Sequence, residues 1–145
     1  MKSSHFTAFV LLFVLLLLSL LLKAADGLVL TVTGVSAEKG DVLIAVFATE
    51  SGFPDNPKKA VRLAKGKPSS GKAVIVLDDL PPGKYAVSVF HDTNNNEIFD
   101  TNFLGIPEEG YGVSNNALNT FSPPKFKEAV FTHQGNTRLE IKLKY

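Results

Sequence analysis

The feature that most narrows the fold is a period of two. In residues 138–145, Leu139, Ile141, Leu143 and Tyr145 alternate with Arg138, Glu140, Lys142 and Lys144. An extended strand puts such a set of apolar side chains on one face and the charges on the other. Shorter segments of the same kind recur along the chain, each closed by Gly, Pro, Asn or Asp, and none carries the 3.6-residue period of an amphipathic helix. Short alternating strands between turn clusters bury their apolar faces by packing sheet on sheet.

The pattern predicts strands over residues 28–35, 41–49, 72–77, 84–90, 126–132 and 137–145, with a short edge strand at 60–64. In the second, Val42, Ile44 and Val46 oppose Leu43, Ala45 and Phe47, so it is apolar on both sides and belongs in the middle of a sheet. Residues 37–40 read as a hairpin turn, and residues 133–136 as the turn joining the last two strands. In residues 79–83, proline presets φ and Gly83 is free to turn the chain. Tyr85, Val87 and Val89 share a face with His91. The expected fold is all-β: a seven-stranded antiparallel β-sandwich, immunoglobulin-like or transthyretin-like, forming one domain over residues 26–145.

Ahead of that domain, residues 8–22 form a nearly unbroken apolar run rich in leucine, with Lys2 before it and Lys23 after it. About 15 apolar residues suit a signal-peptide core and fall short of the roughly 20 that span a bilayer. Residues 1–25 are therefore expected to be a signal peptide or an N-terminal anchor. The domain is expected to be exported, whether periplasmic, secreted or envelope-anchored, and to meet a membrane only through that segment. No cysteine follows the run, or occurs anywhere, which excludes lipid attachment through a thiol and leaves the domain to hold together by its core. Of the 15 Lys and Arg, Lys2 and Lys23 lie in the segment, leaving 13 against 14 Asp and Glu, a net charge of −1. A nearly neutral domain lacks the basic stripe that nucleic-acid binding requires.

Residues 91–125 are too polar and too punctuated for ordinary sheet, and a loop of about 30 residues in a compact domain is commonly functional. It opens with Asp92, Asn94, Asn96 and Asp100, at positions 1, 3, 5 and 9 of a turn. That spacing, with the backbone carbonyl of Ile98 at position 7, can wrap a hard cation such as Ca²⁺. Glu97 stands at position 6, where an EF-hand loop has glycine, and Phe103 at position 12, where it has a bidentate glutamate. With two carboxylates such a site would bind at about 10⁻⁴ to 10⁻³ M. The alternative is an Asx-turn loop whose Asn and Asp side chains bond their own backbone. No other cofactor is expected. His91, Phe103, Tyr111, Ser114 and Asn115 are expected on the working surface of the loop.

No catalytic residue is assigned. His91, Asp92 and Ser114 are the residue types of a nucleophilic triad, and Glu108 and Glu109 of a carboxylate pair. Neighbours on an extended chain point to opposite sides, however, and Ser114 lacks the second glycine of a nucleophile elbow. The function expected is a non-enzymatic binding or structural module with loop 91–117 as its surface and an envelope or extracellular partner. A carbohydrate or peptidoglycan module stacking sugars on Tyr85, Phe99, Phe103 and Tyr111 is the alternative, and an unrecognised hydrolase a second one.

Residues 80–92 (LPPGKYAVSVFHD), Asn94-Asn95-Asn96, Asp100, Leu104-Gly105-Ile106-Pro107, Glu109-Gly110-Tyr111-Gly112, Ser114-Asn115-Asn116 and Pro123-Pro124-Lys125-Phe126 resemble the signature of the exported bacterial proteins grouped as DUF2141. The resemblance runs over essentially the whole mature chain. It implies an exported β-sandwich and supplies no substrate, reaction or ligand. It also implies glycine after the Asn run, where this chain has Glu97.

Overall fold

The structure is a computed structural model that describes residues 27–120 and 122–145. The signal peptide or anchor expected at residues 1–25 lies outside the described residues. Among the described residues no helix is long and apolar enough to cross a membrane.

The domain is an all-β sandwich. Eight strands are formed by the described residues: β1 Gly27–Thr33, β2 Asp41–Phe47, β3 Arg62–Gly66, β4 Lys72–Leu77, β5 Gly83–Asp92, β6 Tyr111–Val113, β7 Phe131–His133 and β8 Asn136–Lys142. One sheet has the order β4-β1-β8. The other runs β3-β2-β5, and the far edge of β5 is shared by β7, opposite residues 83–85, and β6, opposite residues 88–90. All pairings are antiparallel except that of β1 with β8, which is parallel.

Period two explains which face is buried. Leu28, Leu30 and Val32 of β1, Ala73, Ile75 and Leu77 of β4, and Ile141 of β8 face Val42, Ile44 and Val46 of β2 and Val87 and Val89 of β5. As its two-sided apolar sequence requires, β2 is central, and its other face carries Phe47. Phe47 meets Phe53 edge to face at 5.5 Å, and Phe53 meets Phe126 in the same way at 5.8 Å.

That outer layer accounts for one departure from the expected strands. Residues 126–132 do not form one strand: Phe126–Ala129 makes a single helical turn, α1, and only then does β7 begin. Helical spacing puts Phe126 and Ala129 on one face, where they cover Ala86 and Val113, whereas a strand would point them apart. The eighth strand, β6, lies inside the segment read as too polar for sheet.

The turn at 37–40 is not a hairpin, and neither it nor the turn at 133–136 joins neighbours in one sheet. Each carries the chain across the sandwich, from β1 to β2 and from β7 to β8, and the chain also crosses between β3 and β4 and between β4 and β5. Crossing turns leave backbone carbonyls over the ends of the core, where water is excluded. Buried side chains meet two of them. His91 Nε2 lies 2.8 Å from the Lys39 carbonyl, and His133 Nε2 lies 3.0 Å from that of Leu80. A carbonyl only accepts, so Nε2 donates in both rings, while Nδ1 meets a hydroxyl: that of Tyr145 at 2.9 Å in His91, and that of Thr137 at 2.9 Å in His133. Near the start of β5, the Tyr85 hydroxyl donates to the Pro81 carbonyl at 2.9 Å, tying the strand to the turn that feeds it.

The core carries the stability. Leu30→Ala should lower the unfolding free energy by about 3 kcal/mol, whereas Val76→Ala, on the exposed face of β4, should change it by about 0.5 kcal/mol or less. Urea denaturation of the two variants measures the difference.

Candidate functional site

The loop leaves the sheet at the end of β5 and returns as β6, and the His91 amide donates to the Gly110 carbonyl at 2.8 Å where its two ends meet. Asp92 and Glu109 flank that closure, and both are buried. Each spends its carboxylate on backbone amides. Asp92 accepts the N–H of Asn96 at 3.1 Å on one oxygen and that of Glu97 at 2.9 Å on the other. Glu109 accepts the N–H of Thr93 at 3.0 Å and that of Asp100 at 3.2 Å. Neither is ion-paired among the described residues. A buried carboxylate without a cation is tolerable when charge-assisted hydrogen bonds replace its hydration, and these four supply them.

Between these struts the Asn and Asp side chains bond locally. Asn94 Oδ1 accepts the Asn96 N–H at 3.1 Å, and Asn96 Oδ1 accepts that of Ile98 at 2.8 Å, which are the Asx-type bonds expected of these residues. Their amide groups converge on the Asp100 carboxylate, at 2.7 Å from Asn94 and 2.9 Å from Asn96. Asn95 and Glu97 both take positive φ, 58° each. Glu97 thus adopts the left-handed turn that glycine would make at position 6 without strain.

At the mouth of the loop Asp41 stands opposite Asp92 across the β2–β5 pair. Lys67 bonds the Asp41 carboxylate at 2.6 Å, and Lys65 lies 3.6 Å from Asp41 and 3.5 Å from Glu97. The Lys67 hydrogen bond holds the Asp41 pKa below its ordinary value, against the opposing effect of burial.

Beyond Asp100 the chain makes a narrow hairpin, closed where Thr101 bridges Pro107. Asn102 organises it: its side-chain oxygen accepts the N–H groups of Leu104 at 2.9 Å and Ile106 at 3.1 Å, while its carbonyl takes that of Gly105. The tip projects apolar side chains into solvent, with Phe103 95%, Leu104 68% and Ile106 55% exposed.

Of the residues expected to hold a cation, Asn94, Asn96 and Asp100 come together, while Asp92 is turned toward the backbone of residues 96–97. Among the described residues no three His, Cys, Asp or Glu side chains are placed to hold a metal ion between them. Of those expected on the loop surface, Phe103 and Asn115 are exposed and Tyr111 is half-buried, packed on Phe99 at 5.7 Å. His91 and Ser114 are not on that surface. His91 continues the inward face of β5, and the Ser114 hydroxyl is buried, donating to the Ala129 carbonyl at 2.5 Å and accepting the Val87 N–H at 2.9 Å. Asp92, His91 and Ser114 thus bond to three separate sets of partners. Three contributors were not anticipated in these roles: Glu109 as a strut, Asn102 as the hairpin organiser, and Tyr145, whose ring covers Gly110.

The protein family described as "Uncharacterized protein conserved in bacteria (DUF2141)" matches residues 30–141. The chain belongs to the DUF2141 family. No curated protein and no solved structure matches it. The DUF2141 match runs from β1 into β8, so loop 91–117 lies wholly within it.

Glu97→Gly should raise stability by about 1 kcal/mol, because glycine takes positive φ without the steric cost and the exposed pair with Lys65 contributes little. Thermal and urea unfolding of the variant test this, and an unchanged or lower stability would show that the left-handed turn is not strained.

Proposed function

We propose that this DUF2141 protein is an exported, non-enzymatic binding or structural module that meets an envelope or extracellular partner through loop 91–117, with the hairpin at residues 101–107 as its contact tip. The observation that carries this reading is the exposure of Phe103, Leu104 and Ile106 together on a hairpin whose amides are already bonded and whose base is braced by Asp92 and Glu109. Large apolar side chains held in water on a rigid support mark an interaction surface rather than a loop that failed to collapse. Export rests on the apolar run at residues 8–22. Glycan stacking finds less support, since Tyr85 is buried and Phe99 and Tyr111 pack on each other.

A photo-crosslinking side chain placed at position 103 of the full chain, in a bacterial host, should give an adduct of defined size. Ile106→Ser should reduce it about tenfold, since the partner would lose an apolar contact. The same probe at Val74 should give none. Equal adducts from both positions, or indifference to Ile106→Ser, would remove the hairpin as the contact.

A weak Ca²⁺ site is the second reading, supported by the convergence of Asn94, Asn96 and Asp100 and by the lack of a basic partner for Asp92 and Glu109 among the described residues. Rotated about their terminal bonds, both Asn amides would present oxygen to the point where Asp100 lies, at the loss of the Asx bonds they accept from Asn96 and Ile98. At about 10 mM Ca²⁺ such a site should raise the melting temperature by about 4–10 °C relative to chelator. Identical melts would dismiss the ion.

A further inference from the structure

Leu143 is the last residue of the chain buried in the core; Lys144 is exposed and Tyr145 is 55% exposed. Residues 144 and 145 can therefore lift away without uncovering the apolar interior, yet much is fastened to them. The backbone of Lys144 exchanges two hydrogen bonds with Tyr111, both at 2.9 Å. The Tyr145 ring lies so close over Gly110 that a Cβ there would come within 2.3 Å of a ring carbon. Its hydroxyl accepts the Ser36 N–H at 3.0 Å and is hydrogen-bonded to His91 Nδ1 at 2.9 Å, and His91 in turn holds the Lys39 carbonyl. One half-exposed side chain thus joins the β1–β2 turn, the departing end of the loop at His91 and the returning end at Gly110.

We infer that Tyr145 is a latch, a detachable strap whose release loosens both ends of loop 91–110 and uncovers His91 while the two sheets stay folded. Few hydrogen bonds and little apolar area hold it, the conditions under which a segment opens below the cost of global unfolding. The latch sets how rigidly the hairpin is presented. That consequence rests on the loop being the working surface, whereas the opening itself does not.

Native-state hydrogen exchange of the full chain tests it. In Tyr145→Ala the amides of His91 and Thr93, neither of which bonds to Tyr145 directly, should exchange about tenfold faster, with Leu30 and Val32 in β1 unchanged. Gly110→Ala should reproduce the effect by pushing the ring away, and Tyr145→Phe, which keeps the ring and loses the hydroxyl bonds, should do so more weakly. Unchanged exchange at His91 and Thr93, or acceleration shared equally by β1, would overturn the latch. Crosslinking from position 103 reads docking rather than opening, so the two ideas fail separately.

Discussion

Two buried imidazoles close the ends of this core, and they matter because of how the chain is routed. The chain passes between the sheets four times, and at two of these crossings a backbone carbonyl meets a buried imidazole. An unpaired buried carbonyl costs about as much as a lost hydrogen bond. His91 at one end and His133 at the other each give an N–H to such a carbonyl and meet a hydroxyl on the opposite ring nitrogen. Among the described residues no buried side-chain polar atom is without a partner. With no cysteine available, apolar packing between the sheets and polar closure at their ends do together what disulfides do in many exported domains.

The loop follows the same rule with carboxylates in place of imidazoles. Asp92 and Glu109 lie on either side of the His91–Gly110 bond, and each divides its two oxygens between two amides of residues 93–100. The amides that a polar loop would otherwise leave to water are thus anchored to buried groups. Beyond this base Asn102 closes the hairpin on which Phe103, Leu104 and Ile106 stand in water.

What could be read from the sequence follows from the range of each signal. Period two is local, so β4 emerged with its observed limits, β2 was placed centrally by its two apolar faces, and His91 was seen to share the inward face of Tyr85, Val87 and Val89. The same period does not say to which sheet the next strand goes, and for this reason the crossing at residues 37–40 was read as a hairpin and the parallel β1–β8 pair was missed. Phe126 and Ala129 became a helical turn because Ala86 and Val113 needed a cover, a demand from elsewhere in the chain. The polar run from Asp92 to Asp100 marked the loop correctly. Glu109 and Tyr145 were opaque because their roles exist only once Gly110 has been brought against His91.

The Asx-turn and cation readings, drawn from the same residues as alternatives, compete for the side-chain oxygens of Asn94 and Asn96 but not for the buried carboxylates. Asp92 and Glu109 are committed to the backbone, and taking them for a metal would strip four amides of their acceptors. The Asp100 carboxylate is differently placed: its partners are the side-chain amides of Asn94 and Asn96, whose rotation would cost two Asx bonds and leave the Asp92 and Glu109 bonds intact. A cation drawn to this loop would then settle on its outer turn, replacing two neutral donors with one charge, and would leave the buried struts as they are. On that geometry an ion would add stiffness to a loop already folded rather than fold it, as suits a chain in which Glu97 holds the left-handed turn through protein hydrogen bonds alone.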